Sequence, residues 1–288
     1  MVTPEVLVVG GGRLARAVLR TMPERVSCCI VRSGEGAEHL ARIAPNISIR
    51  VNPETVDDVS FNIVWILVAD SAIRDVSAYL ASIGTTWDGC LAIHSSGIGS
   101  RNELLTLADS GCVTAVLHPN GAFTGFDRLP EGLVWTISTG LSAESQALIG
   151  ALLAGLAPTI VPIGDESRSL YHAAASLASN YSIVVFELAH ELFCKSGLPR
   201  ELAAEVVRRY IVESAERGAA FGASRSLTGP VARGDTEVLA RQLTAIREQS
   251  AGAFRLYREL MIFAARMAGR EGEVLRAIED TTAAFDDH

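Results

Sequence analysis

Through its first 163 residues the chain alternates short apolar runs with segments of helical period, and beyond them the strand-like runs stop. The runs are VLVVG (6–10), VSCCIV (26–31), ISIRV (47–51), NIVWILVA (62–69), CLAIH (90–94), CVTAVLH (112–118), LVWTIS (133–138) and TIVPI (159–163). Helical patterns fall between them at 13–22, 35–43, 70–83 and 143–156, with another helix between 94 and 112. Strands joined through helices of this length run parallel, because a parallel neighbour is reached only by a crossover. The run at 62–69 is continuous enough to be covered on both faces. Residues 165–195 contain no proline and read as one long helix with an almost wholly apolar interior at 173–189. Further helices are expected at 200–220, 235–252, 253–268 and 271–285, with a loop at 222–235. The fold class is therefore α/β: a doubly wound sheet in a domain at 1–163, then an all-α C-terminal domain at 164–288.

Composition narrows the function. Hydrophobic residues are 49% and charged residues 20% of the chain, with mean hydropathy +0.27, enough to fill a core. A net charge of −8 argues against nucleic acid as a partner, since phosphates call for a basic field. Residues 1–12 lack the basic start of a signal peptide, and the most apolar run, 148–163, is broken by Pro158 and Pro162 and too short to span a bilayer. No membrane association and a cytoplasmic location are expected. Cys28, Cys29, Cys90, Cys112 and Cys194 form an odd set without CxxC or metal-ligand spacing, so reduced thiols and no metal are expected.

The first strand runs into Gly10-x-Gly12-x-x-Ala15. Gly10 permits a tight turn, Gly12 lets a pyrophosphate approach the backbone, and Ala15 keeps helix and strand close. The helix N-terminus that follows offers free N–H groups and a partial positive charge. At the start of a βαβ unit this reads as a Rossmann dinucleotide site. An NAD site places an acid at the end of the second strand; here stand Arg32 and Ser33, which suit a ribose phosphate, and Arg13 adds charge at the helix start. NADP(H) is the expected cofactor.

Ligands of open α/β sheets bind beyond the carboxyl ends of the strands. Those ends carry Ala69-Asp70-Ser71, His94-Ser95-Ser96-Gly97 and His118-Pro119-Asn120-Gly121. His94 and His118 lack a third ligand at useful spacing, and Ser95 and Ser96 lack the elbow of a serine hydrolase. In the long helix, His172, Ser176, Ser179 and Asn180 recur at one-face spacing, a polar stripe on an apolar helix. Such a stripe serves either helix packing with internally bonded Ser and Asn or one wall of a substrate cleft.

Taken with HSSG (94–97), LHPNGAF (117–123), YHAAASLASNY (171–181) and LTGPVARGD (227–235), the chain resembles the 6-phosphogluconate dehydrogenase-like superfamily. Ketopantoate reductases, 3-hydroxyisobutyrate dehydrogenases, pyrroline-5-carboxylate reductases and deazaflavin-dependent NADP oxidoreductases share this plan. Within it the chain is most similar to uncharacterised bacterial Rossmann-like proteins with a C-terminal helical domain of unknown function. The resemblance implies an NADP-dependent reductase that dimerises through its helical domain. It places Gly10, Gly12, Arg13, Leu14 and Ala15 at the pyrophosphate and Arg32 and Ser33 at the ribose phosphate. Val68, Ala69 and Asp70, with Ser95 and Ser96, would border the nicotinamide half, and the 228–235 loop would be a lid or wall over the substrate. One departure stands out: hydroxyacid dehydrogenases of this superfamily carry a lysine, and an asparagine four residues on, where this chain has His172 and Ser176. The only lysine, Lys195, lies 23 residues further on, roughly 35 Å along a continuous helix.

The reading that follows is an NADP(H)-dependent oxidoreductase that reduces a small carbonyl, a 2-oxo or ketopantoate-like acid, or an imine. His172 would supply the proton, with Ser176, Asn180, Ser95 and Ser96 completing the catalytic set. His118, Asn120, Thr228, Arg233 and Asp235 would hold the substrate, Arg233 taking a carboxylate while Asp235 orients it. The alternative is a dimeric NADP-binding sensor or scaffold without catalysis.

Overall fold

The computed structural model describes residues 3–286. Two compact units are formed, Met1–Ser179 and Asn180–His288. In the first, eight strands make one sheet in the order β3-β2-β1-β4-β5-β6-β7-β8. They are β1 (Val6–Val9), β2 (Val26–Val31), β3 (Ser48–Val51), β4 (Ile63–Ile66), β5 (Leu91–His94), β6 (Val113–Pro119), β7 (Val134–Ser138) and β8 (Thr159–Ile163). The helices of this unit are α1 (Arg13–Thr21), α2 (Gly34–Ile43), α3 (Ile73–Ser82), α4 (Leu105–Asp109), α5 (Ala143–Leu152) and α6 (Arg168–Ala178).

All eight apolar runs form strands, and the first six lie parallel in the order of a doubly wound sheet. The sheet departs from the all-parallel expectation at β7, which pairs antiparallel with β6 before β8 returns parallel to β7. No helix lies between β6 and β7, so the chain turns back as a long hairpin instead of crossing over. Strand alternation fills two cores, one on each face of the sheet. Val6, Val8 and Trp65 meet Ala15, Val18 and Leu19 of α1 on one face. Leu7, Val9 and Ile66 meet Ile73 and Leu80 of α3 on the other. Register aligns Val9 with Ile30 and Ile66, and Ile66 with His94, which sets the carboxyl ends of β1, β2, β4 and β5 along one edge.

The helix expected over 165–195 is two helices. A single 3-10 turn at Asp165–Ser167 leads into α6, and α7 (Asn180–Lys195) begins after a break at Ser179, whose φ and ψ are −110° and −75°. There the Ala175 carbonyl accepts both the Ser179 N–H, at 3.0 Å, and the Ser179 hydroxyl, at 2.8 Å. Such back-bonding bends helices. The distance that a continuous helix would impose on Lys195 is therefore not a property of this chain.

The second unit continues with α8 (Arg200–Phe221), α9 (Ala223–Ser226), α10 (Gly229–Arg233), α11 (Thr236–Gln249), α12 (Ala251–Ala268) and α13 (Glu271–Asp286). Its core joins Leu239, Leu243 and Ile246 of α11 to Phe254 and Met261 of α12 and Val274 of α13. The stretch expected as a loop, 222–235, is mostly taken up by α9 and α10. Large apolar side chains remain outside: Ile183 is 68% exposed, Phe263 63% and Tyr210 61%, with Tyr181 and Val184 also exposed. Among the described residues no helix is long and apolar enough to cross a membrane.

Candidate active site

The glycine-rich turn sits where β1 meets α1. Gly10 has φ +121°, and a Cβ there would fall onto the carbonyl of Leu67, just beyond neighbouring β4, so the turn itself demands glycine. Gly12 differs. It is the extended N-cap of α1, and a Cβ there would meet only the Leu67 oxygen at an ordinary 3.7 Å. The space it faces is a cavity of about 390 Å³, lined by Gly12, Arg13 and Leu14 on one side and by Val68, Ala69 and Ser95 on the other. No acid stands in the first turn of α1 and no side chain caps it, which leaves its amide end available to an anion. Ala15 is fully buried under the turn. These residues fit a phosphate-bearing ligand.

At the end of β2, Arg32 is exposed, and its carbonyl accepts from Asn52 Nδ2 at 3.0 Å. Ser33 is the N-cap of α2, its Oγ accepting from the Gly36 N–H at 3.2 Å. Asp70, also exposed, opens the 3-10 turn that precedes α3.

The loop after β5 is held by its own polar side chains. Ser95 accepts a hydrogen bond from Trp65 Nε1 at 2.8 Å and donates its own proton to the Leu117 carbonyl at 2.6 Å. Ser96 is buried, and its Oγ accepts from the Gly99 N–H at 2.8 Å. His94, fully buried, accepts at Nδ1 from the Ser96 N–H and so donates from Nε2 to the Ser100 carbonyl at 2.9 Å. Burial pushes its pKa down, so it stays neutral. Ser95 and Ser96, expected in the catalytic set, hold this loop, and Ser95 also lines the cavity beside Gly12.

Beyond β6 lies a second cluster. His118 Nδ1 is 2.6 Å from the Tyr171 hydroxyl, which donates to Asn120 Oδ1 at 2.8 Å. Asn120 Nδ2 is turned the other way, donating to the Val134 carbonyl at 3.2 Å. The His118 ring stands edge-on to Tyr171 and to His172, with centroids 5.5 Å and 6.3 Å away. Gly97 passes between the two histidines: a Cβ there would collide with His172 Nδ1 and lie 3.0 Å from His118 Nε2. His172 Nδ1 is buried without a hydrogen-bond partner. Burial first, then the neighbouring His172 and Arg168, push the His118 pKa down to about 4, against a weaker opposing pull from Asp70.

Arg168, at the start of α6, escaped the sequence analysis. It is 0% exposed, bonded through Nε to Asp165 at 3.2 Å, and neither Nη has a partner. Asp165 also lies 3.6 Å from Arg101. The available signal was the D-x-x-R spacing just before an otherwise uncharged helix.

The structure thus gathers Gly12, Arg13, Leu14, Val68 and Ala69 at one cavity, and His118, Asn120 and His172 at one cluster. Ser176 is half-buried on α6, one turn beyond His172. Asn180, Thr228, Arg233 and Asp235 belong to the helical unit, where the first three are exposed. Asp235 does not orient Arg233: its carboxylate caps α11 by accepting from the Val238 N–H at 3.3 Å, and no ion pair joins the two among the described residues. Lys195 ends α7 beside a separate cavity of about 370 Å³ that Gln242 and Tyr257 also line.

A family model described as a domain of unknown function, DUF2520, matches residues 134–261, from β7 into α12. No curated protein matches the sequence. Among solved structures, protein TM1727 from Thermotoga maritima is 23% identical, with a TM-score of 0.68 over 92% of this chain and 99% of that one. BF3122 from Bacteroides fragilis, described as a putative NADP oxidoreductase, is 20% identical, with a TM-score of 0.72 over 92% and 98%. A reductive aminase from Aspergillus terreus, in complex with NADPH and ethyl levulinate, is 16% identical, with a TM-score of 0.64 over 96% and 99%. The fold is the one these proteins share: a Rossmann sheet followed by a helical unit.

Proposed function

We propose that the chain is an NADP(H)-dependent reductase of a small carbonyl or imine compound. The observation that carries this reading is the cavity at the ends of β1 and β4, open above Gly12 and served by an uncapped helix end. Exposed Arg32 at the end of β2, where an acid would select NAD, supports NADP(H). The similar fold of the Aspergillus reductive aminase, which was solved with NADPH, agrees with it, as does that of BF3122.

NADPH would supply a hydride to the carbon of the C=O or C=N bond. The chain supplies the rest. Gly12 and the amides of α1 would hold the pyrophosphate, with Arg13 and Leu14 beside it, and Arg32 the ribose phosphate. Val68, Ala69 and Asp70 would flank the nicotinamide half. His172 would deliver the matching proton to the oxygen or nitrogen, and Ser176 would hydrogen-bond the same group. Arg233, exposed at the end of α10, is the helical unit's candidate for a substrate carboxylate. The apolar residues exposed on that unit, Ile183, Val184, Tyr210 and Phe263, support a homodimer, since a monomer rarely leaves so many in water.

Two measurements test this. Fluorescence titration should show tighter binding of NADPH than NADH, with the difference lost in Arg32→Ala. NADPH oxidation should be seen with at least one member of a panel of 2-oxo acids and cyclic imines. Binding without any turnover across the panel would leave the sensor reading, and binding of neither cofactor would overturn both.

A further inference from the structure

All five thiols are free, and two of them share one place in the sheet. Cys90 and Cys112 stand immediately before β5 and β6, whose register pairs Leu91 with Val113. Backbone bonds bracket the pair. The Gly89 N–H donates to the Gly111 carbonyl at 3.2 Å, and the Val113 N–H donates to the Cys90 carbonyl at 2.9 Å. A single carbonyl, that of Trp87, accepts both the Cys90 N–H at 3.1 Å and the Cys112 thiol at 3.5 Å. Both side chains point to the same face of the sheet, into the core that Trp87, Leu104 and Leu107 also fill. There the Cys90 thiol is within hydrogen-bonding reach of the Cys112 sulfur. Neighbouring strands run about 4.8 Å apart, inside the span of about 4.4–6.8 Å between Cα atoms that a disulfide bridges. The two sulfurs can therefore join without moving the backbone. Cys28 and Cys29 are placed differently: they follow one another in β2 and fill cores on opposite faces.

Cys90 also lines a cavity of about 560 Å³, with Asn62, Thr86 and Asp88, at the amino ends of β4 and β5. This is the opposite end of the strands from the cavity at Gly12. Exposures of 6% for Cys90 and 8% for Cys112 admit a small oxidant and turn away a bulky one.

We propose that Cys90 and Cys112 are a peroxide-responsive pair, oxidised reversibly to a disulfide that staples β5 to β6 at their amino ends. The hydrogen bond from Cys90 pulls the Cys112 pKa down, while the same bond and burial push Cys90 up, so Cys112 is the easier thiolate. Its sulfur attacks one oxygen of hydrogen peroxide, the O–O bond breaks, and a sulfenic acid and hydroxide form. The Cys90 sulfur then attacks the Cys112 sulfur; the S–S bond forms, the S–O bond breaks, and a second hydroxide leaves. Each hydroxide takes one thiol proton, so one peroxide and two thiols give a disulfide and two waters. A dithiol reverses the reaction by exchange. The staple closes segment 91–111 into a loop, which restricts the unfolded chain and so resists unfolding.

The test treats the reduced, folded full chain with hydrogen peroxide at neutral pH, and it needs neither cofactor nor substrate. Non-reducing peptide mapping should find a Cys90–Cys112 link. The thiol count under denaturant should fall by two and return with dithiothreitol. The urea midpoint, followed by tryptophan fluorescence, should be higher for the oxidised chain than for the reduced one. In Cys90→Ala, Cys112 should stop at a sulfenic acid that dimedone traps, and the midpoint should not rise. The wild-type mapping decides the matter even where a variant fails to fold. No link between these two residues, a link made only after unfolding, or an oxidised wild type that unfolds at the same or lower urea concentration overturns the proposal.

Discussion

His118 sets a measurable limit on stability in acid. Its pKa lies at about 4 in the folded chain, against an ordinary value near 6.5, because it is largely buried and lies beside His172 and Arg168. Both states are neutral above pH 6.5, so the residue costs nothing there. As pH falls from 6.5 toward 4 the unfolded chain takes up a proton that the folded chain refuses, and stability is lost through that window. The difference between the two pKa values corresponds to about 3 kcal/mol below pH 4, and to about 2.5 kcal/mol between pH 7.5 and 4.5. Urea unfolding followed by tryptophan fluorescence isolates the effect, because Trp65, Trp87 and Trp135 all lie buried in the first unit. Wild type and His118→Gln should each lose stability between pH 7.5 and 4.5, the wild type by about 2.5 kcal/mol more. His94, whose pKa is also lowered by burial, is present in both proteins and cancels. Equal losses in the two proteins, or a folded-state titration of His118 near 6.5, would show that the cluster does not exclude the proton.

Further outcomes are expected. Gly12→Val should fold with near wild-type stability yet lose binding of both NADPH and NADH in the fluorescence titration, whereas Gly10→Ala should destabilise the chain by about 1–3 kcal/mol in urea, since its Cβ has nowhere to go. Ser95→Ala orphans the buried Trp65 N–H and the Leu117 carbonyl, and should cost about 1–3 kcal/mol in the same assay. Arg168→Met removes a buried cation that opposes protonation of His118, so the His118 titration should move up from about 4 in the NMR spectrum. Ile183→Glu, placing a charge on an exposed apolar face, should convert a dimer to a monomer by light scattering; an unchanged mass, or a monomeric wild type at micromolar concentration, would remove this face from consideration as an interface.

Periodicity made the sheet legible, since buried strands and the helices that cover them leave regular apolar patterns in the chain itself. All eight strands and the glycine-rich turn could be read this way, and so could the change to an all-helical second half. Gly10 and Gly12 were visible as a pair. Only Leu67, just beyond the neighbouring strand β4, separates them: a side chain collides with it at Gly10 and clears it at Gly12. The antiparallel β7 and the break at Ser179 were not legible, because each depends on a short stretch whose backbone bonds have more than one outlet. The same holds more strongly for the site. His94, Ser95, Ser96, His118 and His172 look alike in the sequence as polar residues after strands or on a helix. Their roles part once partners from distant segments arrive: Trp65 and Leu117 occupy Ser95, Ser100 occupies His94, and Tyr171 and Asn120 orient His118. Arg168 gave almost no signal at all, because a buried charge is defined by what surrounds it. Local pattern reports which face of an element is apolar, but the protonation and commitment of a polar group are set by contacts across the chain, and those exist only in the folded state.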